Sequence, residues 1–289
     1  KWALSRIFYF VFRWNGRMLT FFMTSDELIA KLKLVMNKWQ DGTRHGNDGN
    51  QGNTLEDLLG VKENNISLPD LGGVFELKTQ KKESSALVTL LHSDPQIPKT
   101  AVPKLCIALG WPHQKRLEKN YPDNEMSFRS TTYGHNYSDR GFKIVADNEH
   151  LSFIFSKEHV ATNKLDKSGA YPTYGDWLNS LDSRTIHYSE ILPVQYNLND
   201  LATKIKNKLD NTVFVLCKTE TNKETGHKRF FYDEAFIFSG FRTEQLIELF
   251  NTGGLFLDFD ARTTHNHGTK VRVKRDRLKD LFQTSIVIE

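Results

Sequence analysis

Two carboxylates and a lysine fall within one short stretch whose backbone has few forms open to it. Pro69-Asp70 closes the run that begins Ile66-Ser67-Leu68. Glu76-Leu77-Lys78 sits in the next run, residues 74–79, with Gly72-Gly73 between them. Runs this short, bounded by Pro and paired Gly, read as two strands over residues 66–71 and 74–79. Side chains alternate across a strand, so Glu76 and Lys78 leave one face and Leu77 the other. The short glycine connection can bring Asp70 beside Glu76. Two converging carboxylates make a hard oxygen site suited to Mg2+. An adjacent ammonium can orient a water and stabilise negative charge gathering on a phosphate. Together they suit in-line hydrolysis of a phosphodiester. Glu-x-Lys alone is ordinarily a solvated strand of alternating charge. Here it falls on paired strands, a third strand follows at residues 86–92, and a helix bearing Glu56 comes just before. Glu56 can complete the site by binding a second ion or by holding Lys78.

The flanking sequence alternates helix and strand signals. Thr24-Ser25-Asp26-Glu27 is a capping box, and Leu28, Leu32, Val35 and Trp39 follow at helical spacing, which predicts a helix over 25–39. A polar, glycine-rich loop over 41–53 lacks the Gly-Lys-Ser/Thr ending of a phosphate-cradling loop, though its Arg44 and His45 could touch a DNA backbone. A second helix starts near Asn53 or Thr54, carries Leu55, Leu58 and Leu59, and ends at Gly60. Residues 93–140 read as loop-rich, with Lys99, Lys104, Lys115, Arg116, Lys119 and Arg129 among them. A hairpin follows at 141–146 and 151–155, a helix at 199–209 and a long hairpin at 212–219 and 229–238. Next come a helix at 243–250, stopped by Gly253-Gly254, and strands at 255–260 and 270–273 around a His-rich turn. No internal repeat is present. The expected organisation is an N-terminal extension over 1–22, a catalytic lobe over 23–165 and a DNA-recognition lobe over 166–289, the two lobes flanking a cleft.

Composition narrows the class without naming it. The 289 residues are 38% hydrophobic and 26% charged, as in a folded globular chain. A net charge of +4 permits a polyanionic partner but does not require one. Cys106 and Cys217 lie far apart with no zinc spacing; they fit small core residues in a reducing cytoplasm, with a single bridge left open. The apolar run 7–12 is flanked by Arg6 and Arg13 and is too short to span a bilayer. With no small-residue cleavage site nearby, neither a membrane span nor a secretory leader is expected. Near the C-terminus, Arg262, His265, His267, Lys270 and Arg272 begin a basic stripe continued by Lys274, Arg275, Arg277 and Lys279. Such a stripe can track phosphates, and Arg262, His265, His267 and Arg272 are of types that read guanine edges. Most basic runs are solvated faces. His265 and His267 with Asp258 and Asp260 could alternatively bind a transition metal.

Three segments together, Thr54-Leu55-Glu56-Asp57-Leu58-Leu59-Gly60, Pro69-Asp70 and Glu76-Leu77-Lys78-Thr79, resemble the MutH-related branch of the PD-(D/E)xK nucleases. The loop running into Gly52-Asn53-Thr54-Leu55-Glu56-Asp57-Leu58-Leu59 is similar to that of the MvaI/BcnI restriction enzymes. The close likeness covers about residues 43–92, and His265-Asn266-His267-Gly268 also resembles a turn in the recognition lobe of such enzymes. The resemblance implies an α/β, restriction endonuclease-like fold: a mixed central sheet flanked by helices, bilobal with a DNA-binding cleft. It matches Glu56 to the helix glutamate, Asp70 to the motif aspartate, Glu76 to the second metal carboxylate and Lys78 to the motif lysine. It implies Mg2+ as cofactor, double-stranded DNA as substrate and a cytoplasmic monomer with a companion DNA methyltransferase. The implied activity is that of a type II restriction endonuclease leaving 5′-phosphate and 3′-hydroxyl ends. Members of the family nick each strand in turn within short GC-rich sites that have an odd central base pair. The alternatives are a MutH-like repair nickase that a partner activates, a non-catalytic DNA-binding protein with a vestigial nuclease site, and an unrelated α/β protein in which the motif is accidental.

Overall fold

Thr24 caps the first helix as its sequence predicts: its hydroxyl accepts from the Glu27 amide at 3.2 Å, and the Glu27 carboxylate accepts from the Thr24 amide at 2.8 Å. The helix, Ser25–Val35, buries Leu28, Leu32 and Val35. It stops four residues short of the expected end. Asn37 takes a left-handed backbone (φ 59°), Gln40 donates its side-chain amide to the Val35 carbonyl at 3.0 Å, and Trp39 turns into a short strand, Trp39–Asp41, against Phe231. The computed structural model describes residues 13–14, 17–18, 24–44, 49–61, 69–71 and 73–288. The extension expected over 1–22 is therefore described only as the strand pair Arg13–Trp14 with Arg17–Met18. His45, Gly72 and the first half of the strand expected at 66–71 lie outside the described residues.

The chain packs into two units. The first comprises Lys1–Ala86, Lys206–Phe241 and Phe282–Glu289. Its sheet runs in the order Phe282–Ile288, Lys228–Phe241, Asn211–Thr221, Glu76–Lys81, with Trp39–Asp41 also on Lys228–Phe241. Glu76–Lys81 pairs parallel with Asn211–Thr221 and the other pairings are antiparallel, so the sheet is mixed. The helices Ser25–Val35 and Asn50–Leu59 contribute Leu28, Leu32, Leu55 and Leu59 to a core that also takes Leu77, Val213, Val215 and Tyr232 from the sheet. Asn50–Leu59 begins three or four residues ahead of its expected start at Asn53 or Thr54 and ends on Gly60, whose left-handed φ of 75° admits glycine without strain.

The second unit comprises Leu87–Ile205 and Arg242–Leu281. One sheet orders Val88–His92, Lys270–Val273, Leu255–Arg262, Met126–Thr132 and Trp111–Pro112. The other orders Val194–Asn197, His150–Val160 and Arg140–Ala146. Aromatic rings join the two: Phe128 lies 5.5 Å from Phe142 and from Phe259, and Phe153 lies 5.1 Å from Phe259. Leu255, Leu257, Phe259 and Ala261 are buried, and the alternate positions of that strand are Phe256, also buried, and the polar Asp258, Asp260 and Arg262. The segment that reads as loop-rich contains a helix, Ala101–Leu109, and the strand Met126–Thr132. Pro103 stands in the first turn of that helix, where a missing amide costs nothing. Val88–His92 joins this unit's sheet and does not extend the sheet bearing Glu76. The units interleave along the chain, where the sequence reading draws one boundary near residue 165. The hairpin 211–241 returns to the first unit because its first strand is the parallel neighbour of Glu76–Lys81. Cys106 and Cys217 are free and buried, one in each unit. Among the described residues, no helix is long and apolar enough to cross a membrane.

Candidate active site

Glu76 opens an edge strand and Lys78 follows two residues on, so both side chains emerge on one face while Leu77 enters the core. The Lys78 Nζ donates to Glu76 Oε1 at 2.5 Å. A second amine reaches the same oxygen: Lys208 Nζ stands 3.3 Å away. Lys208 lies in the last turn of the helix Leu198–Leu209, and the strand that follows sets Thr212 beside Glu76 in parallel register. The Glu76 side chain is only 1% exposed, whereas the two lysines retain 20% and 22% exposure. Its other oxygen, Oε2, is buried without a hydrogen-bond partner.

Asp70 occupies a turn, not the end of a strand; the next residue, Leu71, bridges Phe75 in antiparallel register. Asp70 Oδ2 accepts from the Leu77 amide at 3.1 Å, which anchors the turn to the strand that carries Glu76. Burial pushes the Glu76 carboxyl above its ordinary value. Lys78 opposes that shift, the nearby Asp70 charge adds to it, and Lys208 works with Lys78. The structure thus sets Lys78 on Glu76 and fastens Asp70 to Leu77, the residue between them. Glu56 is half-buried on Asn50–Leu59, the helix whose Leu55 and Leu59 pack with Leu77. Its neighbour Asp57 is bound by Thr43 at 2.5 Å and Arg44 at 2.8 Å. Among the described residues, no three Asp, Glu, His or Cys side chains gather to hold a metal. The donor set nonetheless suits a hard divalent cation: a buried carboxylate with an unsatisfied oxygen, and a second carboxylate close enough to perturb it.

In the second unit the five candidate DNA contacts lie along one strand, turn and strand. His265 and His267 are exposed, their rings edge to face at 4.3 Å. The other three are held in ion pairs. Arg262 Nη1 meets Glu125 Oε1 at 3.0 Å and its guanidinium covers the Tyr121 ring at 4.1 Å. Arg272 meets Asp258 at 2.8 Å and donates to the Leu87 carbonyl at 2.7 Å. Lys270 lies 3.7 Å from Asp260, which also meets Arg129 at 3.0 Å. With both aspartates so engaged, the alternative transition-metal site of His265, His267, Asp258 and Asp260 is not gathered among the described residues. Sequence reasoning missed Lys208, Glu125 and the engagement of Arg129. Lys208 has no local mark, since Lys204 and Lys206 share its helix; only the parallel pairing brings it to Glu76.

A model of the MvaI/BcnI restriction endonuclease family matches residues 29–282. The fold is similar to a solved structure described as a restriction endonuclease MvaI–cognate DNA substrate complex, with a TM-score of 0.69 and 19% identity, covering 91% of this chain and 98% of that one. A structure of restriction endonuclease MvaI in the absence of DNA gives a TM-score of 0.49 at 20% identity, with the same coverage. No curated protein matches.

Proposed function

Since the chain belongs to the MvaI/BcnI restriction endonuclease family, we propose that it hydrolyses phosphodiester bonds of duplex DNA at a short specific site through Asp70, Glu76 and Lys78, with Glu56 in support. As a member of that family it is a type II restriction endonuclease, a site-specific endodeoxyribonuclease. The observation that carries the residue assignment is the Glu76 carboxylate, buried, with one oxygen held by two amines and the other unsatisfied.

Asp70 and Glu76 would hold a divalent cation, Mg2+ by the hardness of the donors, which when bound supplies Lewis-acid polarisation of the phosphate and a more acidic water. Glu76 is kept in place by Lys78 and Lys208, so its second oxygen is presented in one orientation. Asp70 is fixed by the Leu77 amide. The Lys78 ammonium, partly open to solvent, orients the attacking water and offsets the charge that grows on the phosphate oxygens. The products are 5′-phosphate and 3′-hydroxyl ends. His265 and His267 read base edges, while Arg262, Lys270 and Arg272 present donors already oriented by Glu125, Asp260 and Asp258. The enzyme acts as a monomer in the cytoplasm, and a companion methyltransferase protects the host site. The test is digestion of a plasmid of known sequence with Mg2+, followed by mapping of the ends. Lys78→Ala should abolish cutting and leave specific binding in place; cutting at the wild-type rate by that variant would refute the assignment.

A further inference from the structure

Resting on the DNA reading above and extending it, we propose that a cavity in the second unit, lined by Trp111, Lys115, Arg129, Arg140, Lys167 and Tyr174, binds a sugar–phosphate segment of the DNA strand flanking the bases that are read. The cavity encloses about 420 Å³, within the roughly 300–1,000 Å³ usual for ligand sites and more than a lone phosphate needs. Four cationic side chains line it and no carboxylate does. Lys115 is exposed and has no ion-pair partner among the described residues. Lys167 meets Asp139 at 3.5 Å, with its own side chain 83% exposed.

Arg140 forms the buried end. Its side chain is 9% exposed, and its guanidinium lies 4.0 Å from the Trp111 ring centroid and 5.0 Å from that of Tyr174. One nitrogen meets Asp166 at 2.6 Å and Ser168 at 3.0 Å. The other, Nη1, is buried with no partner. Such an arrangement offers positive potential beside an aromatic wall, which suits an anionic phosphate attached to an apolar deoxyribose face. The local field is positive in another respect: burial, then the Arg129 charge, hold the His113 imidazole, also in the lining, below its ordinary value.

Arg129 connects the cavity to the proposed reading face. It stands on Met126–Thr132 directly across from Asp260, whose second partner is Lys270. A strand whose bases are read along Leu255–Lys270 would therefore carry its backbone past Arg129 toward Lys115 and Lys167. That continuity favours a DNA strand over a free phosphate compound.

The experiment measures binding without divalent metal, so that nothing is cut, once digestion has located the site. Two duplexes are used, one ending at the recognition site and one with long flanks. Wild type and Lys115→Gln/Lys167→Gln are titrated across a salt series. Each phosphate neutralised contributes about 0.9 to the slope of log affinity against log salt. The double variant should lose about 1.8 on the flanked duplex and nothing on the short one. An unchanged slope on the flanked duplex overturns the proposal and leaves the nuclease reading standing, as does an equal loss on both duplexes. Absence of any salt-dependent binding by wild type overturns both readings. Inorganic phosphate and a dinucleotide serve as the remaining probes: saturable binding of either that depends on the lysines, with duplex slopes unmoved, assigns the cavity to free phosphate compounds and overturns it too.

Discussion

Replacing Arg262 by Ala should destabilise the second unit far more than an exposed arginine would. Its partner Glu125 has a side chain with 0% exposure, and its Oε2 already lacks a hydrogen-bond partner. Removing one member of a buried pair strands the other charge, which costs about 3–5 kcal/mol. Glu125 Oε1 would keep the Thr264 amide at 3.1 Å and the Thr264 hydroxyl at 2.8 Å, so the lower end, about 3 kcal/mol, applies. For a domain of this size, that lowers Tm by about 6–12 °C. Changing Glu125 to Gln in the same chain removes the stranded charge and should recover about half of the loss. The assay is urea and thermal unfolding of the four variants of this cycle, followed by tryptophan fluorescence, since Trp111 and Trp177 lie in the same unit. The pH dependence has a definite sign. Burial pushes the Glu125 carboxyl up, but Arg262 and Thr264 outweigh it and hold the group below its ordinary value. The pair's stabilisation is therefore complete above the ordinary carboxyl value of 4.5 and is lost as pH falls through the lower folded value. In Arg262→Ala, burial acts with only Thr264 against it, so the gap in stability from wild type should narrow on acidification. A loss below about 1 kcal/mol, with no recovery in the double variant, would refute the stranded-charge reasoning.

Lys208→Met should slow cleavage about tenfold to a hundredfold, as losses of supporting contacts at metal ligands do, while Lys208→Arg keeps most of the rate; a normal rate for the Met variant in single-turnover digestion would show that Lys78 suffices. Burial pushes the Cys106 and Cys217 thiols up to about 12, so neither should react with a thiol reagent at pH 8 until denaturant is added, and labelling of the native chain within minutes would contradict their burial. Phe128→Ala removes a fully buried ring that touches Trp111, Phe142, Phe153 and Phe259, and should cost about 3–5 kcal/mol in the unfolding of the second unit.

What could be read in advance was set by short-range chemistry. The capping box at Thr24, the glycine stops at Gly60 and Gly253 and the long hairpin beginning near residue 211 are local devices, and each appears close to its expected place. Glu76 and Lys78 were legible for the same reason, because a period of two fixes their common face. Trp39 kept helical spacing yet left the helix, since packing on Phe231 and the Asn37 turn outweighed periodicity. The strand Met126–Thr132 escaped notice because its exposed face carries Arg129 and Thr131, while its burial comes from partners about 130 residues later. Lys208 was invisible for that reason too: a lysine in a helical row gains meaning only when a distant strand aligns with Glu76. Arg262, Lys270 and Arg272 read in the sequence as open DNA contacts, Arg262 and Arg272 of types that meet guanine edges, and the acidic partners that engage them come partly from the alternate residues of the strand Leu255–Arg262.

The polypeptide passes between its two packing units four times, at 86/87, 205/206, 241/242 and 281/282. A chimera that exchanges the second unit as a block would need four splice points, not one. A fragment ending before residue 206 would lack both Lys208 and the strand alongside Glu76. Retargeting by wholesale exchange is for that reason a poor engineering route here. Under the proposal that the exposed His265–His267 turn reads bases, substitution at single positions there leaves every splice intact and is the route that this connectivity favours.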